Sequence, residues 1–336
     1  MVQQMEDIRT AWITTNYSCN INCEWCYAKN TANCTQKMDI NTAKSIVDSL
    51  VDLGVRGITL IGGEPTLHNN IVDIITYIKD KDPTIKIGLT TNGICLENNA
   101  FAKQLVKAGL SGCNVSIKGL SAEAYFESTG SADGYEKMLK GYHNIKEAGC
   151  NTVASFVITE YDKRKIDNLN ELCHEKSIEK ILIQFVKPTV GLISEPIMPM
   201  KDMAKTVKYI YENWNDIDYK IEISFPICLI DKIVFDDLYQ HKKLKLGCHI
   251  QTGNGINFDT EGRIIPCNHF VDLPYDKDPH LSSNSIKEVW NSVEFQKIMN
   301  KSCCFPSLKC KTCERWDICR GGCFTRWFYE DPGIII

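Results

Sequence analysis

Six short apolar runs, Ala11–Thr15, Gly57–Ile61, Ile85–Thr90, Gly112–Ile117, Thr152–Thr159 and Lys180–Val186, alternate with longer segments of helical spacing. Each run has strand length, whereas the segments between them repeat apolar residues every three or four positions, as Ile46, Leu50 and Leu53 do, or Phe101, Leu105 and Val106. Helix punctuation agrees: Asp39 or Asn41 can cap the first helix, and Gly54, Gly109 and Gly149 can end three of them. Strand and helix in strict alternation demand a parallel sheet with crossover helices. Six repeats are too few for a closed eight-stranded barrel, so the expected fold class is α/β, a partial (βα)6 TIM-like barrel. The pattern changes after Pro188. Pro196 and Pro199 interrupt the chain, a helix is expected over Met203–Trp214, and from Cys248 onward cysteines are frequent and helices scarce apart from Ser285–Met299. The reading divides the chain into a barrel over 10–190, a linker or bridging region over 191–245 and a small cysteine-rich domain over 246–330.

Composition excludes some functions. A net charge of −4 is not that of a nucleic-acid binder. No stretch approaches 18 apolar residues, so no membrane partner is expected, and the N-terminus lacks the basic and apolar regions of a signal peptide. Cysteine is the anomaly: 17 in 336 residues is below the roughly 8–10% of disulfide-built chains, yet high for a protein kept reduced. Clustered cysteines in a reducing compartment bind metal or do chemistry, so the expected location is cytoplasmic.

Cys19, Cys23 and Cys26 form C-x3-C-x2-C directly after the first expected strand. Three thiolates on one short loop can hold three corners of a [4Fe-4S] cluster and leave the fourth iron open. A structural zinc ion is the alternative, but it wants four ligands, and the nearest spare cysteine, Cys34, has an odd spacing. Further along, Gly62-Gly63-Glu64-Pro65 ends the second strand, Thr91-Asn92-Gly93 follows the third, and Ser116 lies in the fourth. Taken singly, GGEP is an ordinary strand-to-helix turn. In order, each at a strand end where barrel folds gather their chemistry, the four pieces weigh more.

These motifs resemble those of the radical SAM superfamily. The resemblance implies that Cys19, Cys23 and Cys26 bind a [4Fe-4S] cluster, and that Gly62, Gly63, Glu64, Asn92 and Ser116 bind S-adenosylmethionine (SAM). It implies reductive cleavage of SAM to methionine and a 5′-deoxyadenosyl radical, fed by a low-potential donor of flavodoxin or ferredoxin type. Many relatives read Ser-x-Asp-Gly at the fourth strand, where this chain has Ser116-Ile117-Lys118-Gly119, and some carry an arginine for the SAM carboxylate within the stretch that reads Glu127-Ser128-Thr129-Gly130 here. Lys118 is the nearest substitute cation.

The C-terminal array, Cys248, Cys267 and then Cys310, Cys313, Cys319 and Cys323 in C-x2-C-x5-C-x3-C, resembles the SPASM extension of that superfamily. A hairpin over Gly255–Asp259 and Gly262–Pro266 lies inside it. The resemblance assigns Cys248, Cys267 and Cys323 to one auxiliary cluster and Cys310, Cys313 and Cys319 to another. A further cysteine usually follows the last C-x3-C, and some relatives have one six residues before Cys248, where this chain has Lys242. The fourth places are open to Cys228, Cys303, Cys304 or a non-thiol ligand such as Asp317, to substrate, or to a single cluster only; a zinc knuckle is the alternative for the C-x2-C-x5-C-x3-C group. Cys34, Cys95, Cys113, Cys150 and Cys173 are expected to pack as small apolar residues.

The substrate is the least constrained part. SPASM-type relatives mainly modify peptides, so the expected substrate is a peptide or protein side chain, oxidised or cross-linked. Because the first strand begins about ten residues in, no leader-binding module is expected, and a separate leader-peptide recognition protein is the expected partner. The alternative is a dehydrogenase or epimerase of a small molecule such as a sugar or aminoglycoside; a non-catalytic zinc or iron–sulfur scaffold is the third reading. Tyr17, Gln184, Phe185, Lys187 and Phe225 flank strand ends and could face substrate or fill the core.

Overall fold

The computed structural model describes residues 8–28, 35–189, 197–270, 282–302 and 304–331. Cys34 and Cys303 lie outside these residues. All six expected strands form: β1 (Thr10–Asn16), β2 (Gly57–Gly62), β3 (Lys86–Thr91), β4 (Gly112–Ile117), β5 (Asn151–Ile158) and β6 (Lys180–Phe185). The helices between them are α1 (Ile40–Asp52), α2 (Ile71–Lys81), α3 (Asn99–Ala108), the pair α4 (Ala122–Thr129) and α5 (Gly134–Glu147), and α6 (Lys163–Glu175). The chain continues through α7 (Met200–Asn213), β7 (Asp218–Glu222), α8 (Lys232–Gln240), β8 (Leu244–Lys245) and α9 (His249–Thr252). Then come β9 (Gly255–Phe258), β10 (Ile264–Ile265), α10 (Ser283–Asn291), α11 (Val293–Ser302) and α12 (Trp316–Cys319). The fold is α/β, a partial TIM-like barrel followed by a cysteine-rich C-terminal region. Among the described residues no helix is long and apolar enough to cross a membrane.

The chain forms two compact units, Met1–Val153 with Thr252–Lys301, and Ala154–Gln251 with Ser302–Ile336. Their division falls at residue 153, inside β5, and differs from the sequence division into 10–190, 191–245 and 246–330. In the first unit the strands run in the order β10-β9-β1-β2-β3-β4, parallel except for the β9–β10 hairpin. The helices cover this sheet through apolar stripes such as Ala43, Ile46, Val47 and Leu50 of α1 and Ile71, Ile74, Ile75 and Ile78 of α2, all buried. Asp39 caps α1 as expected, accepting the Asn41 N–H at 2.8 Å, and Gly109 ends α3 in the left-handed conformation. In the second unit β5-β6-β7-β8 run parallel. There the wholly buried Arg326 gives its Nη2 to the Val186 carbonyl at 2.8 Å and its Nη1 to those of Met198 at 3.2 Å and the Glu330 carboxylate at 2.8 Å.

Three elements depart from the sequence reading. β7 carries Asp218, Lys220 and Glu222 between its buried Tyr219 and Ile221, so it does not stand out as an apolar run. β9 forms the expected hairpin with β10 but also pairs in parallel with β1, a contact with no local signature. The helix expected over Ser285–Met299 is two helices, broken at Ser292, whose hydroxyl accepts the Phe295 N–H at 3.2 Å and starts α11.

Candidate functional site

The first unit gathers three strand-end turns onto the cysteine loop. Asn16, fully buried at the end of β1, donates its Nδ2 to the carbonyls of Ser18 (2.7 Å) and Glu64 (3.0 Å). In return Gly63 N–H donates to Asn16 O at 2.7 Å and Glu64 N–H to Ser18 O at 2.9 Å. Backbone therefore lies on backbone. A Cβ on Gly62 would stand 2.3 Å from Asn16 O, and one on Gly63 2.3 Å from Tyr17 O, so only glycine permits this approach. The loop is tied twice more: Asn22 N–H donates to Thr129 O at the end of α4, and the Tyr27 hydroxyl to Gly62 O at 3.2 Å.

Glu64 has no exposed surface. Its Oε1 accepts from Thr66 N–H (3.1 Å), the Thr66 hydroxyl (2.6 Å) and the Thr91 hydroxyl (2.7 Å), while Oε2 accepts from Asn92 N–H (2.7 Å). Burial pushes this carboxyl up against four hydrogen bonds that favour the anion. The carboxylate thus fastens the turn after β2 to the turn after β3. Asn92 carries the fastening onward, donating its Nδ2 to Asn20 Oδ1 at 2.7 Å and reaching Cys19 Sγ at 3.8 Å. Ser116 is buried on β4. The GGEP and TNG motifs of the sequence therefore correspond to one framework beside the loop of Cys19, Cys23 and Cys26.

Burial of its sulfur pushes the Cys19 thiol up to about 12, with Glu64, Cys23 and Cys26 adding to the effect and an Ile21 N–H opposing it. Such a thiol does not stay anionic by itself; a coordinated cation is what deprotonates it. Tyr125 of α4 supports the same reading. It is fully buried, its phenol is pushed up by burial and then by Cys23 and Cys19, and its hydroxyl has no hydrogen-bond partner among the described residues. A buried donor beside the cysteine loop fits a sulfur-rich group there. The residues present therefore suit a [4Fe-4S] cluster held by Cys19, Cys23 and Cys26. Sequence reasoning missed Asn16 and Tyr125, which sit in no spaced motif, and Asn20, which is a variable position inside C-x3-C.

In the second unit, Cys310, Cys313 and Cys319 lie in consecutive turns, with Cys313 N–H donating to Cys310 O at 3.3 Å and Trp316 N–H to Cys313 O at 3.1 Å. Cys248 precedes α9 and Cys323 precedes the turn Phe324–Phe328 in this unit, while Cys267 follows β10 in the first, near Tyr27. Among the described residues no three His, Cys, Asp or Glu side chains lie close enough to share a single ion. Phe185 and Phe225 are core, packed edge-on at 5.7 Å, and Gln184 and Lys187 both bind Glu222. Burial opposes ionisation of Glu222, but Lys187 and Lys245 outweigh it and hold the carboxyl well below its usual range.

Comparison with known proteins accords with this geometry. The family described as the radical SAM superfamily matches residues 13–173. A "Probable GTP 3′,8-cyclase" of Methanococcus aeolicus is 30% identical over 232 residues, 65% of this chain and 76% of that protein. The chain belongs to the radical SAM superfamily. It is therefore an enzyme of [4Fe-4S] and SAM chemistry and needs an electron donor and a substrate, which removes the non-catalytic scaffold reading. Another "Probable GTP 3′,8-cyclase", of Sulfurisphaera tokodaii, is 24% identical over 277 residues, 82% of this radical SAM chain and 84% of that protein. Among solved structures, SuiB of Streptococcus suis bound to SAM aligns with TM-score 0.73 and 19% identity over 97% of this chain and 76% of that one. Native anSMEcpe with bound AdoMet aligns with TM-score 0.69 and 17% identity over 94% and 88%. These two likenesses concern the fold, a radical SAM barrel with a SPASM-type extension.

One expectation is overturned. The substrate was expected to be a peptide or protein side chain, with a leader-peptide recognition protein as partner. Relatives that align along four fifths of the chain are named for a reaction of GTP, a small molecule, whereas SuiB, solved with its precursor peptide SuiA, shares the fold at 19% identity. The error lay in reading substrate from the cysteine-rich extension, a fold feature on which several chemistries are built.

Proposed function

We propose that this enzyme abstracts a hydrogen atom from a small molecule, with a guanosine nucleotide as the first substrate class, in the cytoplasm and with a flavodoxin- or ferredoxin-type electron donor. The observation that carries this reading is the extent of the likeness to the GTP 3′,8-cyclases, which runs past the barrel to 82% of the chain. A nucleotide also belongs with the sugar-like small molecules that were the alternative to a peptide.

The cluster, when bound, supplies the electron that cleaves SAM to methionine and a 5′-deoxyadenosyl radical. The chain's own residues hold and orient. Cys19, Cys23 and Cys26 would hold the cluster; the turn Gly62-Gly63-Glu64 and Asn92 line the loop on one side, and the Ser116 hydroxyl would serve the SAM ribose. Glu64 acts as a tie: its four protein donors leave its carboxylate committed to Thr66, Thr91 and Asn92.

The test is anaerobic reconstitution with iron and sulfide, then SAM and dithionite with GTP, ATP, a monosaccharide or no substrate. GTP is expected to raise 5′-deoxyadenosine formation roughly tenfold or more over the substrate-free rate, with deuterium from ribose-labelled GTP appearing in the product. The triple variant C19A/C23A/C26A is expected to form none. Equal rates with and without GTP overturn the substrate class, and stimulation by the monosaccharide alone moves the assignment to sugars.

A further inference from the structure

The C-x2-C-x5-C-x3-C group offers Cys310, Cys313 and Cys319 to one auxiliary cluster and, by sequence, no fourth cysteine after Cys323. The second unit supplies one from elsewhere. We propose that Cys228, in the turn Ile227–Leu229 that follows β7, is the fourth protein ligand of the cluster held by Cys310, Cys313 and Cys319. The inference rests on that cluster being iron–sulfur.

The segment Ser224–Cys228 lies directly against Cys319–Cys323. Ile227 N–H donates to Cys319 Sγ at 3.4 Å, which puts the next residue, Cys228, beside that sulfur. Cys323 N–H donates to Ser224 O at 3.0 Å. Gly322, at φ +76°, lets the chain press onto Phe225 so closely that a Cβ there would meet the Phe225 backbone at 2.6 Å. On the flank, Arg315 binds Asp236 of α8 at 2.6 Å and covers the Phe235 ring at 4.7 Å. The docking is built, with one backbone hydrogen bond, one from a backbone N–H to sulfur, an ion pair and a close backbone approach. The other three cysteines follow through consecutive turns, with Cys313 N–H donating to Cys310 O at 3.3 Å, Trp316 N–H to Cys313 O at 3.1 Å and Cys319 N–H to Arg315 O at 2.9 Å.

The other contenders fit less well. Asp317 is 89% exposed at its side chain and is turned to Arg320 at 3.3 Å. Cys304 lies outside the contact between Ser224–Cys228 and Cys319–Cys323. Zinc and a four-iron cluster differ in spread: zinc holds its four sulfurs about 2.3 Å from one ion. A four-iron cluster has its ligands on separate metals and spreads them wider. With four thiolates this cluster has no open iron, so it serves electron transfer and does not dock substrate.

The C19A/C23A/C26A background reports auxiliary iron alone. Within it, Cys228→Ala is expected to lose iron and, after mild oxidation, to show the EPR signal of a three-iron cluster, while Cys304→Ala matches the parent. Unchanged iron and EPR in Cys228→Ala, or loss in Cys304→Ala instead, overturn the assignment of Cys228. A parent holding zinc, or no iron at all, overturns the cluster reading beneath it. The unmutated holoenzyme gives a check independent of folding. Cys228 is exposed, so if it is not a ligand iodoacetamide modifies it equally with and without the cluster. As a ligand it is protected roughly tenfold or more until chelation removes the iron.

Discussion

At the scale of single residues, the site depends on groups whose bonds are all internal. Replacing Glu64 with Gln keeps the volume but puts an NH2 where an oxygen received hydrogen bonds, leaving at least one of the Thr66, Thr91 and Asn92 donors unpaired in a wholly buried place. The expected cost is about 1–3 kcal/mol, read as a lower melting temperature, with weaker SAM binding because the turn after β3 is released. Glu222 behaves differently. Its folded carboxyl lies below the ordinary range of about 4.3, so its contribution is complete above that value and is lost as the pH falls through the folded one. Denaturant unfolding of Glu222→Gln at neutral pH is expected to show a loss of about 3 kcal/mol, and the variant is expected to lose part of the parent's decline in stability below about pH 4. The cysteine triplet, GGEP and TNG were legible in sequence because each is short and sits at a strand end. Asn16 and Tyr125 were not, because their roles arise from partners 48 positions away in one case and from an enclosed hydroxyl in the other.

At the scale of elements, the six strands of the barrel were readable because each is a short, mostly apolar run between segments of helical spacing. β7 escaped because its outward positions are charged, and the β1–β9 pairing escaped because register between distant strands leaves no local trace. Helix α5 shows how an element positions a turn. A Cβ on Gly141 of α5 would stand 2.1 Å from the Gly93 carbonyl, in the turn that carries Asn92. Alanine normally strengthens a helix by about 0.5–1 kcal/mol over glycine, but here overpacking costs about 1–3 kcal/mol and wins. Gly141→Ala is therefore expected to melt earlier than the parent and to bind SAM more weakly, measurable by calorimetry on the same sample.

For the whole molecule, stability is divided unevenly. The sheet and its helices bury long runs of isoleucine, leucine and valine, whereas α12 and the turn Leu308–Thr312 bury no residue fully. Chelation of the metals is therefore expected to leave the far-ultraviolet circular dichroism of the barrel in place. Amide hydrogen exchange across 307–323 is expected to quicken by about tenfold or more, with β1–β4 unaffected. The parallel seam between β1 and β9 has its own consequence. The hydrogen bond from Thr10 to Asn254 joins residues 244 positions apart, so one flank of the N-terminal strand stays bare while the intervening chain is made. A ribosome adding about 5–20 residues per second leaves that flank waiting on the order of 10–50 s. An unpaired strand edge is a template for the wrong neighbour, so nascent or truncated chains ending before residue 255 depend on a chaperone to keep them from aggregating.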